Sequence, residues 1–184
     1  MKKILFYLGS LVLLCDCATF NDRKLVNDNF KKNDLNFING TYHNYASSGS
    51  GFYVRSLTDV FDRNTRMFNF KEKHEEKDLK IELKAVNKRM LNMKTYDAEK
   101  LLTDKNLKVT LKKDGFVYLK EKRFMLDGIP LIFGGWNIQK SRFTLDENNN
   151  LSVQSNYFFC NGILIVMSDW KTSHYSLTFE KQKP

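Results

Sequence analysis

Two cysteines one residue apart, Cys15 and Cys17, stand at the end of an 11-residue apolar run, Ile4 to Leu14, that begins directly after Met1-Lys2-Lys3. A thiol can act as a nucleophile, a metal ligand or a disulfide partner, and its setting separates these roles. The third cysteine, Cys160, lies in the apolar string "YFFCNG" and reads as a small buried hydrophobe. His43, His74 and His174 are scattered along the chain. "HEEKD" at 74 to 78 starts like a zinc-protease HExxH, but Asp78 stands where the second His is required, so one of the two helical ligands is missing. "SSGSG" at 47 to 51 lacks the flanking strand and helix that set up a hydrolase nucleophile. No catalytic residue, metal site or cofactor is expected, and the chain does not read as an enzyme.

The elements around the paired cysteines point to export. Lys2 and Lys3 form a positive start and Ile4 to Leu14 an apolar core, too short for the roughly 20 residues that a membrane-spanning helix needs and right for a secretory signal. Leu14 three places before Cys17, with "CATF" following, resembles the signal of bacterial lipoproteins. The resemblance implies removal of residues 1–16 and a thioether-linked diacylglyceryl group on Cys17, with fatty acyl chains such as palmitate as the membrane anchor. Each buried methylene adds about 0.8 kcal/mol, and two or more chains hold stably where one does not. Cys15 is the alternative site of lipidation; with it acylated, Cys17 would survive to pair with Cys160 in an oxidising periplasm. Ordinary cleavage near Cys17–Ala18, releasing a soluble periplasmic protein, is the third outcome. "ATFNDRK" carries no acidic cluster of the kind that directs such lipoproteins to the cell surface, so the resemblance implies an outer-membrane anchor facing the periplasm.

The formal charge of +9 would draw anionic partners through long-range fields. Lys and Arg are interspersed with Asp and Glu, as in "KEKHEEKD", and a nucleic-acid footprint needs a concentrated patch; no nucleic-acid partner is expected. Residues 17–37 are polar and Asn-rich and read as a flexible tether reaching about 25 Å, with a short helix around Leu25 to Leu35 as the alternative. Residues 38–184 form the folded domain.

In that domain the period is two. Leu79, Ile81, Leu83 and Ala85 alternate with Lys80, Glu82 and Lys84, and Leu107, Val109 and Leu111 with Lys108, Thr110 and Lys112. Leu151 and Val153 alternate in the same way, as do Tyr175, Leu177 and Phe179, the pattern of antiparallel strands with one dry and one wet face. Turns are expected at Asp114-Gly115, Asp127-Gly128, Gly134-Gly135, 146–150, Asn161-Gly162 and 171–173. Short helices are expected over 56–63 and over 96–105, the second capped by Asp97. The fold class is therefore all-β: a meander of about 8–10 strands with one or two short helices, its edges removed by closure into a barrel.

"NGTYHNY" at 39 to 45, with Tyr42 where a Gly-x-Trp has its Trp, and a hairpin string ending in "YSLTFEK" resemble lipocalin-like bacterial lipoproteins over Asn39 to Lys181. The resemblance implies a β-barrel that binds or carries a small apolar or amphipathic molecule at the cell envelope, with "HNYASSGSG" as a lid at one end. The alternative is a solid-cored accessory lipoprotein that works as an interaction module with another envelope protein. No ligand-binding residue is singled out. Phe133, Trp136, Tyr157, Phe158, Phe159 and Trp170 either line a pocket or pack the core. Large inward candidates, Phe116, Phe143, Leu145, Tyr175 and Phe179, tilt toward a filled interior.

Overall fold

A computed structural model of the protein describes residues 20, 34–49, 54–61, 79–120, 123–129, 133–163 and 167–182. Cys15, Cys17, the signal and most of the tether lie outside these residues, as do His74 and "HEEKD". The chain enters the fold at a 3-10 turn, Leu35–Ile38, whose start is fixed by Asp34 accepting from the Asn36 amide. Nine strands follow: β1 Gly40–His43, β2 Lys80–Asn87, β3 Met90–Asp97, β4 Lys100–Leu111, β5 Val117–Leu119, β6 Arg123–Ile129, β7 Phe133–Leu145, β8 Leu151–Ile163 and β9 Met167–Phe179. They form one sheet in the order β1-β2-β3-β4-β5-β7-β8-β9, with β6 paired to β7 off this path. The fold is the antiparallel meander that the alternation predicts.

A five-residue helix, α1 (Leu57–Phe61), falls inside the expected 56–63. Ser56 and Asp59 make a capping box, since Ser56 Oγ accepts from the Asp59 amide and Asp59 Oδ2 from the Ser56 amide. The buried side chain of Asn44 fastens the same end by accepting from the Thr58 amide.

The expected helix over 96–105 is a hairpin instead. Tyr96 and Asp97 end β3, Ala98 turns with φ 53°, and Lys100 opens β4. Good helix formers at 98–102 are overridden because Leu107 and Val109, further along the same strand, bury one face in the sheet. Four expected turns are likewise strand. Asp127-Gly128 pairs with Gly134-Gly135 across β6 and β7, residues 171–173 lie within β9, and β8 runs through Asn161-Gly162 to Ile163. A dipeptide's turn preference is a local bias, which the continuous ladders of 13-residue strands outweigh. The other two turns form as three-residue loops. Lys112 and Phe116 bracket one, with Gly115 at φ 82°, and Asp146 and Asn150 bracket the other, with Asn149 at φ 62°. Each has its third loop residue left-handed, as a type I turn with a bulge requires.

Two compact units divide the chain. One includes Lys122–Lys140 and Asn156–His174; the other, larger one includes Ser141–Ser155, Tyr175–Pro184 and everything described from Asp34 to Lys120. In the larger unit the residues after β9 come back to β1. The His43 amide donates to Glu180 O, the Gln182 amide to Thr41 O, and the Ser47 amide to Thr178 O. This seam covers the free edge of β1, which a lone edge strand would leave open to other chains.

Candidate functional site

The inward face of the larger unit follows from the register. Tyr42, Ile81, Thr95 and Thr103 form one row across β1 to β4, and Gly40, Leu83, Met93 and Lys105 the next. Leu91 and Leu107 pair in the row beyond. These rows face the core because Tyr42, Ile81, Leu83, Leu91, Met93 and Leu107 are all buried. On β7 and β8 the same face carries Ser141, Phe143 and Leu145 and then Leu151, Val153 and Ser155, all buried.

Composition changes along this interior. The end where β1 begins and β2 turns into β3, here the proximal end, is hydrocarbon. Phe143 and Phe61 meet edge to face at 5.4 Å, and Leu35, Ile38, Leu91, Leu145 and Leu151 are buried with them. Toward the distal end, where β3 turns into β4, hydroxyls take over. Ser141 and Ser155 share a 2.9 Å hydrogen bond. Thr95 is 1% exposed, and the Oγ1 atoms of both Thr95 and its cross-strand neighbour Thr103 are buried without a hydrogen-bond partner. A buried hydroxyl left without a partner costs about 1–3 kcal/mol.

The seam is locked by Lys181. Its Nζ donates to Asn39 O at 2.7 Å and lies 5.8 Å from the centroid of the Tyr42 ring. A Cβ on Gly40 would meet Lys181 Cε, so a side chain there would displace the lysine from its place over β1. Tyr42, fully buried, donates from its hydroxyl to Ile38 O at 2.7 Å, and burial pushes its ionisation well above the usual phenol range. The Gly-x-Tyr of the sequence is thus the point where the entry turn, the first strand and the chain's end meet.

A second polar cluster lies on the opposite face of β7. Arg142 is only 2% exposed. Its Nε donates to Gln154 Oε1 and its Nη1 to the Tyr118 hydroxyl, each at 2.8 Å, while the guanidinium lies 4.2 Å over the Phe116 ring. Tyr118 in turn donates to Asp114 Oδ2 at 2.6 Å. Its burial and this hydrogen bond raise the phenol's ionisation, with Arg142 opposing. These bonds clamp the β4–β5 hairpin onto β7 and β8. Phe116, expected inward, belongs to this cluster.

The expected lid is not a free loop at its start. Ser47 and Ser48 exchange backbone bonds with Thr178, the Ala46 amide donates to Arg55 O, and Gly49 at φ 93° passes so close to Ser176 O that a Cβ would strike it. Residues 50–53 lie outside the described residues. Of the aromatic set, Tyr157 and Phe158 are buried at 2% and 5% exposure; the other four side chains, and that of Cys160, lie outside the description. His174 is exposed, with Nδ1 2.8 Å from Oδ1 of buried Asn156. Among the described residues no group of three or more His, Cys, Asp and Glu side chains is placed to hold a metal ion, and no helix is long and apolar enough to cross a membrane.

No family model matches the chain. Comparison with curated proteins and with solved structures finds no match either. The antiparallel meander is compatible with a lipocalin-like fold. Sequence reasoning named no ligand-binding residue; the signal for Thr95 and Thr103 was a Thr at each of two positions in step with buried Leu and Met, visible only once the register of β3 and β4 is known.

Proposed function

We propose that this is an exported, lipocalin-like protein, anchored through lipid on Cys17 at the cell envelope, that binds a small amphipathic molecule. The observation that carries the reading is the pair of buried hydroxyls, Thr95 and Thr103, facing the core without a partner. A ligand whose polar part accepts from these two donors and whose apolar part meets Met93 and the neighbouring leucines would offset the cost of burying them. Apolar burial at about 25 cal/mol per Å² would supply most of the affinity and tolerate variation in chain length.

A solid-cored interaction module is the second reading, favoured by the filling of the proximal interior with Phe61, Phe143 and Phe179, each at most 1% exposed. Titration of the purified protein with fatty acids, lysophospholipids and isoprenoids, followed by thermal unfolding and native mass spectrometry, separates the two. Saturable binding with a rising melting temperature is expected from linkage. No shift with any member, together with a stoichiometric co-purifying protein, would replace the carrier by the module.

A further inference from the structure

Among the described residues, the proximal end differs from the distal end in its charge. Lys84, Lys88, Arg89, Lys108, Lys112 and Lys113 are all exposed there. The tips that carry them are neighbours, because the Val109 amide donates to Arg89 O and Met90 pairs with Lys108. Lys112 is held with its Nζ 3.8 Å over the Tyr118 ring. From Ala85 to Met90 and from Leu107 to Lys113 there is no acidic residue. Asp114, next in the chain, is engaged by Tyr118 and lies 3.6 Å from Arg142. The carboxylates beside the patch are Asp146 and exposed Glu147 on the adjoining β7–β8 tip and exposed Asp34 at the start of the 3-10 turn, fewer than the six cations. Val86, 55% exposed, projects among the cations.

The distal ends of the same strands are mixed. Lys80, Lys94 and Lys100 alternate there with Glu82, Asp97, Glu99 and Asp104, and Asp104 accepts from Asn92. The chain also enters at the basic end. Asn39 Oδ1 accepts from the Ala85 amide at 2.7 Å, so the 3-10 turn that ends the tether lies within about 10 Å, three residues of strand, of the Lys88-Arg89 tip.

We infer that the basic proximal end is a membrane-docking surface that lies against anionic phospholipid headgroups. Lipid on Cys17, the reading proposed above, would bring this end to the bilayer first, because Asp34 to Asn39, where the continuously described chain begins after Cys17, lie at it. A cationic patch beside an acyl anchor adds a second, salt-sensitive hold on an anionic surface. Exposed Val86 would enter the headgroup layer with the lysines around it.

The test uses the full chain carrying Cys15→Ala and Cys17→Ala, which cannot be acylated, sedimented with vesicles of phosphatidylcholine alone or with a quarter phosphatidylglycerol. The readout is the difference between the two vesicles compared among variants, all of which keep the same amino-terminal segment with Lys2 and Lys3. Partition onto the anionic vesicles is expected to be roughly tenfold higher and to vanish at high salt. Combined Lys88→Glu, Arg89→Glu, Lys112→Glu and Lys113→Glu should remove most of the difference, whereas Lys80→Glu, Lys94→Glu and Lys100→Glu at the other end should keep it. Should the reversed chain unfold by circular dichroism, the same four positions changed to Gln serve instead. Equal partition onto both vesicles, or equal loss in the distal variant, overturns the inference. So does stronger retention on a single-stranded oligonucleotide at equal phosphate concentration, which would reassign the patch to nucleic acid. Acyl-chain labelling of the parent reads the Cys17 anchor separately, so its failure is distinguishable from failure of docking.

Discussion

The proximal and distal ends of β2, β3 and β4 are made by the same three strands, yet they are opposites inside and out. Proximally, a dry interior of Phe and Leu is ringed mainly by cations; distally, an interior bearing hydroxyls is ringed by charges of both signs in closer balance. The large apolar side chains of the core are thus concentrated at one end, and the interior hydroxyls without a partner lie toward the other. A strand carries this division easily because its inner and outer faces are independent at every second residue.

The division is broken most severely by emptying the proximal interior. Phe143→Ala removes a fully buried ring and its edge contact with Phe61, and should cost about 3–5 kcal/mol in urea unfolding. A loss under about 1 kcal/mol would mean that the proximal interior is not the stabilising centre. Tyr42→Phe should cost about 1 kcal/mol near neutral pH through the lost bond to Ile38 O.

Tyr42 also sets an alkaline limit. Its ionisation is raised in the fold by burial, so the folded chain keeps a proton that the unfolded chain gives up near pH 10. Stability is therefore unaffected by this group below about pH 10 and falls as pH rises beyond it. Unfolding midpoints measured from neutral to strongly alkaline pH should decline less steeply in the Phe variant; parallel curves would contradict the buried phenol.

The smallest stability effect, and the sharpest test of the distal end, is Thr95→Val. Exchanging a buried hydroxyl without a partner for a methyl should leave stability unchanged or raise it by about 1 kcal/mol. The same change should weaken ligand binding in the titration described above. Destabilisation by more than about 1 kcal/mol would show that the hydroxyl has a structural partner and remove the main support for a distal binding site.

Much of this architecture was legible in the sequence because strand alternation is local. Leu79 to Ala85, Leu107 to Leu111, Leu151 to Val153 and Tyr175 to Phe179 all bury or pair as their period predicts. The helix over 56–63 was legible through its short apolar face. What misled was local preference without its context: Ala98 to Leu102 favour helix, and Asn161-Gly162 favours a turn, but both lie in ladders fixed by distant strands. Arg142 shows a different limit. Alternation with Ser141 and Phe143 assigns it to the outer face, and nothing in that pattern says that Phe116, Tyr118 and Gln154 cover it there. The basic end was hidden for the same reason, since Lys88-Arg89 and Lys112-Lys113 are far apart in sequence and adjacent only through the β3–β4 register.

The seam carries a consequence for how the protein comes into being. Lys181 bonds to Asn39 across 142 residues of chain, so the last strand must be present before the first can be covered. Closing contacts of such long range make folding slow compared with helical proteins, and a nascent chain shorter than Lys181 has β1 with no partner on that side. That side of β1 would therefore stay open until the residues around Lys181 have been made and have folded back, however early β1 itself pairs with β2.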